Sequence, residues 1–490
     1  MTRALIALLV AVVSAACTSA PAPAASLPSP SAAPSVTPSA SAAPTAIANV
    51  PDVDGQRAYE HLRFFVAREQ GGRYTASPGY ANAARYMADQ LAAMGVEPWG
   101  DGGTFFHRFR MPLVDLAATP VLARTSPAAR SFRHRGDFTE RVGGTFGSGT
   151  GEGGLVFVGS GVATDLEAVD VRGKVALVIT GGRQDPAREL VARGAVAAIY
   201  VTSGTLLRFS YISRFEGTTL PGVVVTQTVA DELIASSGRR IADLIRQVQD
   251  QTSRLGSSPP PPSPAFELTD RVRVTVPLTP VRDVEAMNVV GLIRGSDADA
   301  AKRAVVVGGH LDGIGTDPDG TLFQGANDNA SGPAVTIEVA RALVARRGEI
   351  RHSVVVVAFA GEEEGAVGSE RFVEAFSAIP GRRETVIGYI NLDVVGCCGQ
   401  TVQASTESDA LVERVRRAAE HLGVAFSRGG RGGSDQESFS RRGIPGTLLN
   451  WSDIRTIHTV DDTIDKITAD RLRTIGRVAT LVVLEMAAGR

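Results

Sequence analysis

Four short, densely β-branched runs, 304–307, 353–359, 386–391 and 446–449, recur between segments with helical apolar spacing at 333–346, 370–376, 410–421 and 469–488. Runs that are apolar throughout, rather than alternating, suit strands covered on both faces. Strands separated by helices of this length predict an α/β fold, a central sheet sandwiched by helices. Upstream, 54–68 and 80–94 also have helical spacing, and Gly95 stands where a helix would be capped. The segment between them and the alternating C-terminal part has a different character. Short β-type runs at 154–158, 174–179 and 222–225 surround one helical stretch at 187–193, and a Pro-rich stretch at 257–264 reads as a stiff loop or linker. Strand patterns restart at 272–276 and 288–293.

The N-terminal end reads as an export signal. Arg3 is followed by a short apolar run, 4–13, and by Ser14-Ala15-Ala16 before Cys17. The run is too short to span a bilayer, which takes about 20 apolar residues. Small residues before a cysteine are similar to a bacterial lipobox, so Cys17 is the expected lipidation site, although Ser14 stands where that pattern usually has Leu. Simple secretion is the alternative. Residues 18–50 are almost entirely Ala, Ser, Pro and Thr, a composition unable to bury a core, and read as a disordered tether. The expected setting is extracytoplasmic, with membrane contact only through the lipid anchor. The charge balance, 50 Lys+Arg against 52 Asp+Glu, offers no basic surface for nucleic acid. The three cysteines form no disulfide framework, and the adjacent Cys397 and Cys398 read as small apolar packing residues.

Metal-competent residues stand just beyond the predicted strands. His310 and Asp312 follow the first run, Glu362 and Glu363 the second, Asp393 the third, and His458 lies past the fourth. Asp328 sits in a loop before a helix. Open α/β sheets bind ligands at the carboxyl ends of their strands, so these loops are placed to converge. Imidazole and carboxylate together suit zinc, whereas calcium or magnesium would favour oxygen ligands alone. Two His, two Asp and one Glu, with one Asp shared, supply about three ligands to each of two metals, and an adjacent Glu is left over for proton transfer. The other five histidines, His61, His107, His134, His352 and His421, lack carboxylate partners in a motif and read as ordinary core or surface residues.

The motifs Gly309-His310-Leu311-Asp312, Gly325-Ala326-Asn327-Asp328-Asn329, Gly361-Glu362-Glu363-Glu364-Gly365, Asn391-Leu392-Asp393 and Ile457-His458-Thr459 resemble those of the dizinc aminopeptidases related to aminopeptidase Y and the bacterial leucyl aminopeptidases. The resemblance implies a three-layer zinc-exopeptidase fold with a mixed central sheet. It implies two Zn2+ per chain, with His310 and Asp393 on one, Glu363 and His458 on the other, and Asp328 bridging. It makes Glu362 the general base for a dizinc-activated water, has Asp312 orient His310, and has Asp462 brace the loop of His458. Relatives place a cis peptide after the bridging Asp, here Asp328-Asn329. Glu364 departs from the apolar residue usual in the family. Asp435 lies in a segment similar to one near the substrate pocket, with Gln436 where His is common.

The middle section resembles a protease-associated domain, β-rich and α+β, inserted in the peptidase fold as a non-catalytic lid. The expected division is 1–17 signal peptide, 18–50 linker, 51–112 and 267–490 peptidase domain, and 113–266 insert. The insert carries no ligand of the site, its two ends must lie close together, and it reads as removable. The expected activity is removal of N-terminal residues from peptides. A glutaminyl cyclase or glutamate carboxypeptidase-like enzyme of the same fold, and a receptor-like module without catalysis, are the alternatives.

Overall fold

The computed structural model describes residues 52–179, 185–208, 215–258, 261–378 and 385–489. The leader, the linker and Cys17 lie outside the described residues.

Among these residues nine strands form the main sheet. Its order runs Glu97–Pro98, Arg282–Ile293, Ser353–Phe359, Ala304–His310, Val386–Leu392, Gly446–Trp451, Val402–Ala404, Phe426–Arg428, with Phe106–Leu113 also on Arg282–Ile293. The four strands at the centre, from Ser353–Phe359 to Gly446–Trp451, run parallel, and antiparallel neighbours flank them on both sides. Every residue of Ala304–His310 and Ser353–Phe359 is buried, as the unbroken apolar runs require. Helices Gly55–Phe65, Pro78–Ala93, Ser331–Ala345, Asp409–His421 and Ala469–Ala487 cover one face, their apolar residues forming one core with it. Val367–Ser377 and Gln436–Ser440 cover the other through Phe372, Val373 and Phe439. This is the expected three-layer α/β arrangement with a mixed sheet.

Residues between Val121 and Val276 build a second sheet with its own two cores. Strands Gly149–Phe157, Val175–Ile179, Ala197–Thr202 and Gly222–Thr226 are parallel neighbours. The boundary expected after 266 is corrected. Strand Phe266–Val276 pairs with both Val121–Ser126 and Gly149–Phe157, so the second sheet ends at Val276. Its apolar alternation was readable, but pairing partners far apart in sequence were not. The two crossings into this region lie side by side. The Ala117 N–H donates to the Pro277 carbonyl at 2.8 Å and the Thr279 N–H to that of Asp115 at 2.7 Å.

A further correction concerns the cysteines. Cys397 and Cys398 are joined by a disulfide. Side chains of neighbouring residues ordinarily diverge, but Cys398 has φ 82°, and this left-handed turn brings the pair together. No helix among the described residues is long and apolar enough to cross a membrane.

Candidate metal centre

The parallel strands end at one edge of the sheet, and their loops carry the acidic and imidazole side chains. His310 closes the central strand, in register with Phe359 on the neighbour that leads to Glu362 and Glu363. On its other side Val386–Leu392 leads to Asp393. Gly309 is required here, since a Cβ would lie 2.1 Å from the Leu392 carbonyl oxygen.

Two triplets converge, His310 with Asp328 and Asp393, and Asp328 with Glu363 and His458, each within 4.8 Å. Asp328 belongs to both. Its Oδ1 is 3.4 Å from His310 Nε2 and its Oδ2 is 3.1 Å from His458 Nε2. Asp393 Oδ1 stands 3.3 Å from His310 Nε2, and Glu363 Oε2 3.3 Å from His458 Nε2. The Asp328-Asn329 peptide is cis. Glu362 belongs to neither triplet. Its Oε2 is 3.9 Å from His310 Nε2, and its side chain keeps 13% exposure against 2% for Glu363.

These groups fit a pair of cations. Glu363 Oε1 is buried without a hydrogen-bond partner, an arrangement that costs free energy unless something else satisfies it. Burial, with the neighbouring carboxylates, holds Glu362 and Glu363 well above the usual carboxylate range. Burial opposes the charged form of Asp328 too, but its hydrogen bonds to both imidazoles outweigh that and lower its pKa. Positive charge placed among these acids would relieve their mutual repulsion.

A surrounding layer fixes the donors. Asp312 faces His310 Nδ1, carbonyl oxygen at 3.3 Å and carboxylate at 3.7 Å. The same carboxylate accepts from the backbone N–H groups of Glu362 and Glu363, at 3.3 and 3.2 Å, and from Thr75 Oγ1 at 3.2 Å. It therefore ties the loop of Glu362 and Glu363 to His310, and so joins the two triplets. The Asp462 carboxylate accepts from the N–H groups of Asn327 and Asp328, at 2.8 and 2.9 Å, and so ties the loop that carries it and His458 to the loop of the shared Asp328. A carboxylate has two oxygens for two adjacent N–H groups, and the Asp328 loop presents such a pair. Burial pushes the Asp462 carboxyl up to about 7. Ser434 donates to Asp393 Oδ2 at 2.9 Å and accepts from Asn391, which also donates to Gln436. Gln436 thus serves to orient Asn391. Asp435 is fully buried behind the site, and burial pushes it up to about 7.

Arg73 is the residue that sequence reading missed. It is fully buried and donates to the carbonyls of Phe65, Leu311, Gln324 and Gly325 at 2.8–3.0 Å, clamping the loops on either side of the site. Burial lowers its pKa to about 10, and it stays charged at neutral pH beside Asp462, Asp312 and Asp328. Gly71-Gly72 before it was the one visible signal, and it reads only as a break. His61 and His134, away from the site, have carboxylate partners of their own in Glu338 and Glu140.

Residues 288–483 match Peptidase family M28, in keeping with the resemblance drawn from the motifs. Aminopeptidase YwaD of Bacillus subtilis is 30% identical over 235 residues, 44% of this chain and 48% of that protein. A probable leucine aminopeptidase of Arthroderma benhamiae is 28% identical over 214 residues, 37% of this chain and 58% of that protein. The chain spans about half the length of these curated relatives. Among solved structures, the aminopeptidase of Aneurinibacillus sp. strain AM-1 superposes with a TM-score of 0.67 at 22% identity, over 89% of this chain and 94% of that one. BSAP, a zinc aminopeptidase from Bacillus subtilis, gives 0.65 at 20%, over 89% and 96%. At these identities the superpositions show a shared fold.

Proposed function

We propose that this chain, whose residues 288–483 match Peptidase family M28, is a zinc-dependent aminopeptidase that removes N-terminal residues from peptides. The observation that carries the reading is the shared carboxylate of Asp328, one oxygen turned to each imidazole, with one further carboxylate beside each. His310, Asp393 and Asp328 would hold one zinc, and Glu363, His458 and Asp328 the other. The names of the relatives, aminopeptidases and a zinc aminopeptidase among them, support the metal and the reaction class.

Zinc bound there would supply Lewis acidity and a water of lowered pKa. The chain's residues do the rest. Glu362, outside both triplets and the more open of the glutamate pair, takes the proton of the attacking water and returns it to the leaving amine. Burial that raises its pKa suits a group that must both accept and release a proton near neutrality. Asp312 keeps His310 oriented and holds the backbone of Glu362 and Glu363 in place. The carboxylates not engaged by metal would receive the free α-amine of the substrate. A one-zinc cyclase would need a single triplet, so the second triplet favours the peptidase. We place the protein outside the cytoplasm, anchored through Cys17, with residues 113–276 as a protease-associated insert.

The test is a panel of aminoacyl-nitroanilides with zinc analysis of the purified protein. Two zinc ions per chain and hydrolysis abolished by chelator and restored by Zn2+ are expected. Full activity with one tightly bound zinc, or activity indifferent to chelator, would overturn the reading.

A further inference from the structure

The inserted region reaches the metal centre itself. Arg208 lies within it, in the connection that follows strand Ala197–Thr202, and its backbone N–H donates to the carbonyl of His458 at 3.0 Å. His458 has φ 59°, a left-handed conformation that a residue with a side chain adopts only when its surroundings enforce it. The loop around it is exposed at Ser452, Ile454, Arg455 and Val460, so it has little packing of its own to hold that conformation.

The side chain of Arg208 is anchored on the other side. Its exposure is 1% and that of its partner Asp317 is 0%, with Nε 2.9 Å from Asp317 Oδ1. Asp317 belongs to the peptidase loop that joins His310 to Asp328 in the chain. Arg135, also from the inserted region, grips the same carboxylate at 2.7 and 3.1 Å and Glu140 at 2.8 Å. Both guanidinium groups lie over the ring of Phe323, at 5.6 and 5.3 Å. Arg73 holds the carbonyls of Gln324 and Gly325 just beyond Phe323. The loop joining His310 to Asp328 is thus pinned from the peptidase by Arg73 and from the insert by Arg135 and Arg208. A buried ion pair of this kind fixes geometry, because each partner left alone would be an uncompensated charge.

We propose that Arg208 is a positioning residue for the second metal. By locking its side chain onto Asp317, it holds its own N–H where the His458 carbonyl must be, so the insert is a structural part of the zinc site held by Glu363 and His458, and not a removable lid. This rests on the two-zinc reading above.

The experiment uses the full chain, stripped with chelator and titrated with Zn2+ against a chromophoric competitor, so that the first and second equivalents are read separately. Arg208→Ala should weaken the second equivalent by about 10–100-fold, the usual effect of losing a residue that orients a ligand, and leave the first within about threefold. Arg208→Lys, which restores a charge to Asp317, should recover most of the loss. In metal-free protein, amides of the 452–463 loop should exchange faster in Arg208→Ala than in wild type. Arg130→Ala, an exposed change in the same region, should alter nothing. Should Arg208→Ala not fold, Arg208→Gln, which keeps much of the side chain's bulk and removes the charge, carries the same expectations. Equal weakening of both equivalents would mean general destabilisation and would overturn the proposal, as would an unchanged second equivalent. Wild type that binds fewer than two zinc ions would instead refute the two-zinc reading itself.

Discussion

Arg73→Met tests whether the buried guanidinium assembles the site. Methionine keeps the apolar stem and removes every donor. Four carbonyls, those of Phe65, Leu311, Gln324 and Gly325, then lose their partner in a fully buried place. At about 1 kcal/mol for each hydrogen bond lost, the low end for buried acceptors, the change costs about 4 kcal/mol. That lies within the roughly 3–5 kcal/mol typical of breaking a buried charged arrangement. With an unfolding entropy of about 2 cal/mol/K per residue, a domain of about 280 residues loses about 1.7 °C per kcal/mol, and the melting temperature of chelator-treated protein should fall by about 7 °C. Scanning calorimetry on the full chain reads this directly, and Arg73→Lys, with its charge kept but three donors on a shorter reach, should fall in between. A fall no larger than one hydrogen bond's share would refute the clamp and leave Arg73 a passive occupant.

Three other outcomes are expected. Glu362→Gln should keep both zinc ions and lose about 10²–10⁴-fold in kcat; loss of a zinc ion would mean that Glu362 and Glu363 have exchanged roles. Asp462→Asn turns an NH2 toward one of two backbone N–H groups that now meet oxygen, so zinc affinity should drop about 10–100-fold by competition titration; unchanged affinity would show that the Asp328 loop needs no brace. Alkylation of denatured, unreduced protein should leave Cys397 and Cys398 unmodified in a peptide map, and modification of either would contradict their pairing.

The elements that sequence reading located best were those with one dominant local signal. Strand Ser353–Phe359 coincides with its apolar run, and helix Asp409–His421 with its spacing, because burial on both faces and on one stripe leave unlike periodicities. The triplets were legible because each ligand follows a strand whose end must lie at the same edge of the sheet. What escaped depends on partners distant in sequence. Strand Phe106–Leu113 alternates His, Arg and apolar residues, and only its pairing with Arg282–Ile293 makes it part of the main sheet. Phe266–Val276 has the pattern of a strand of either domain, and its partners at 121–126 and 149–157 decide which. Arg73 and Arg208 look like surface arginines until four carbonyls or a buried Asp317 surround them.

The pairing of His310 with Phe359 across two parallel strands makes the centre a gauge of correct folding. Sliding Ser353–Phe359 by one residue would carry Glu362 and Glu363 about 3.3 Å along the sheet and turn alternate side chains to the opposite layer. The wrongly aligned chain could still bury valines, since Val354, Val355, Val356 and Val357 are interchangeable in bulk. It could not bring Glu363 to His458. Zinc would then bind the aligned chain alone and stabilise it by mass action. In a sheet whose central residues are nearly uniform, the metal ions would supply the discrimination between registers that the apolar side chains cannot.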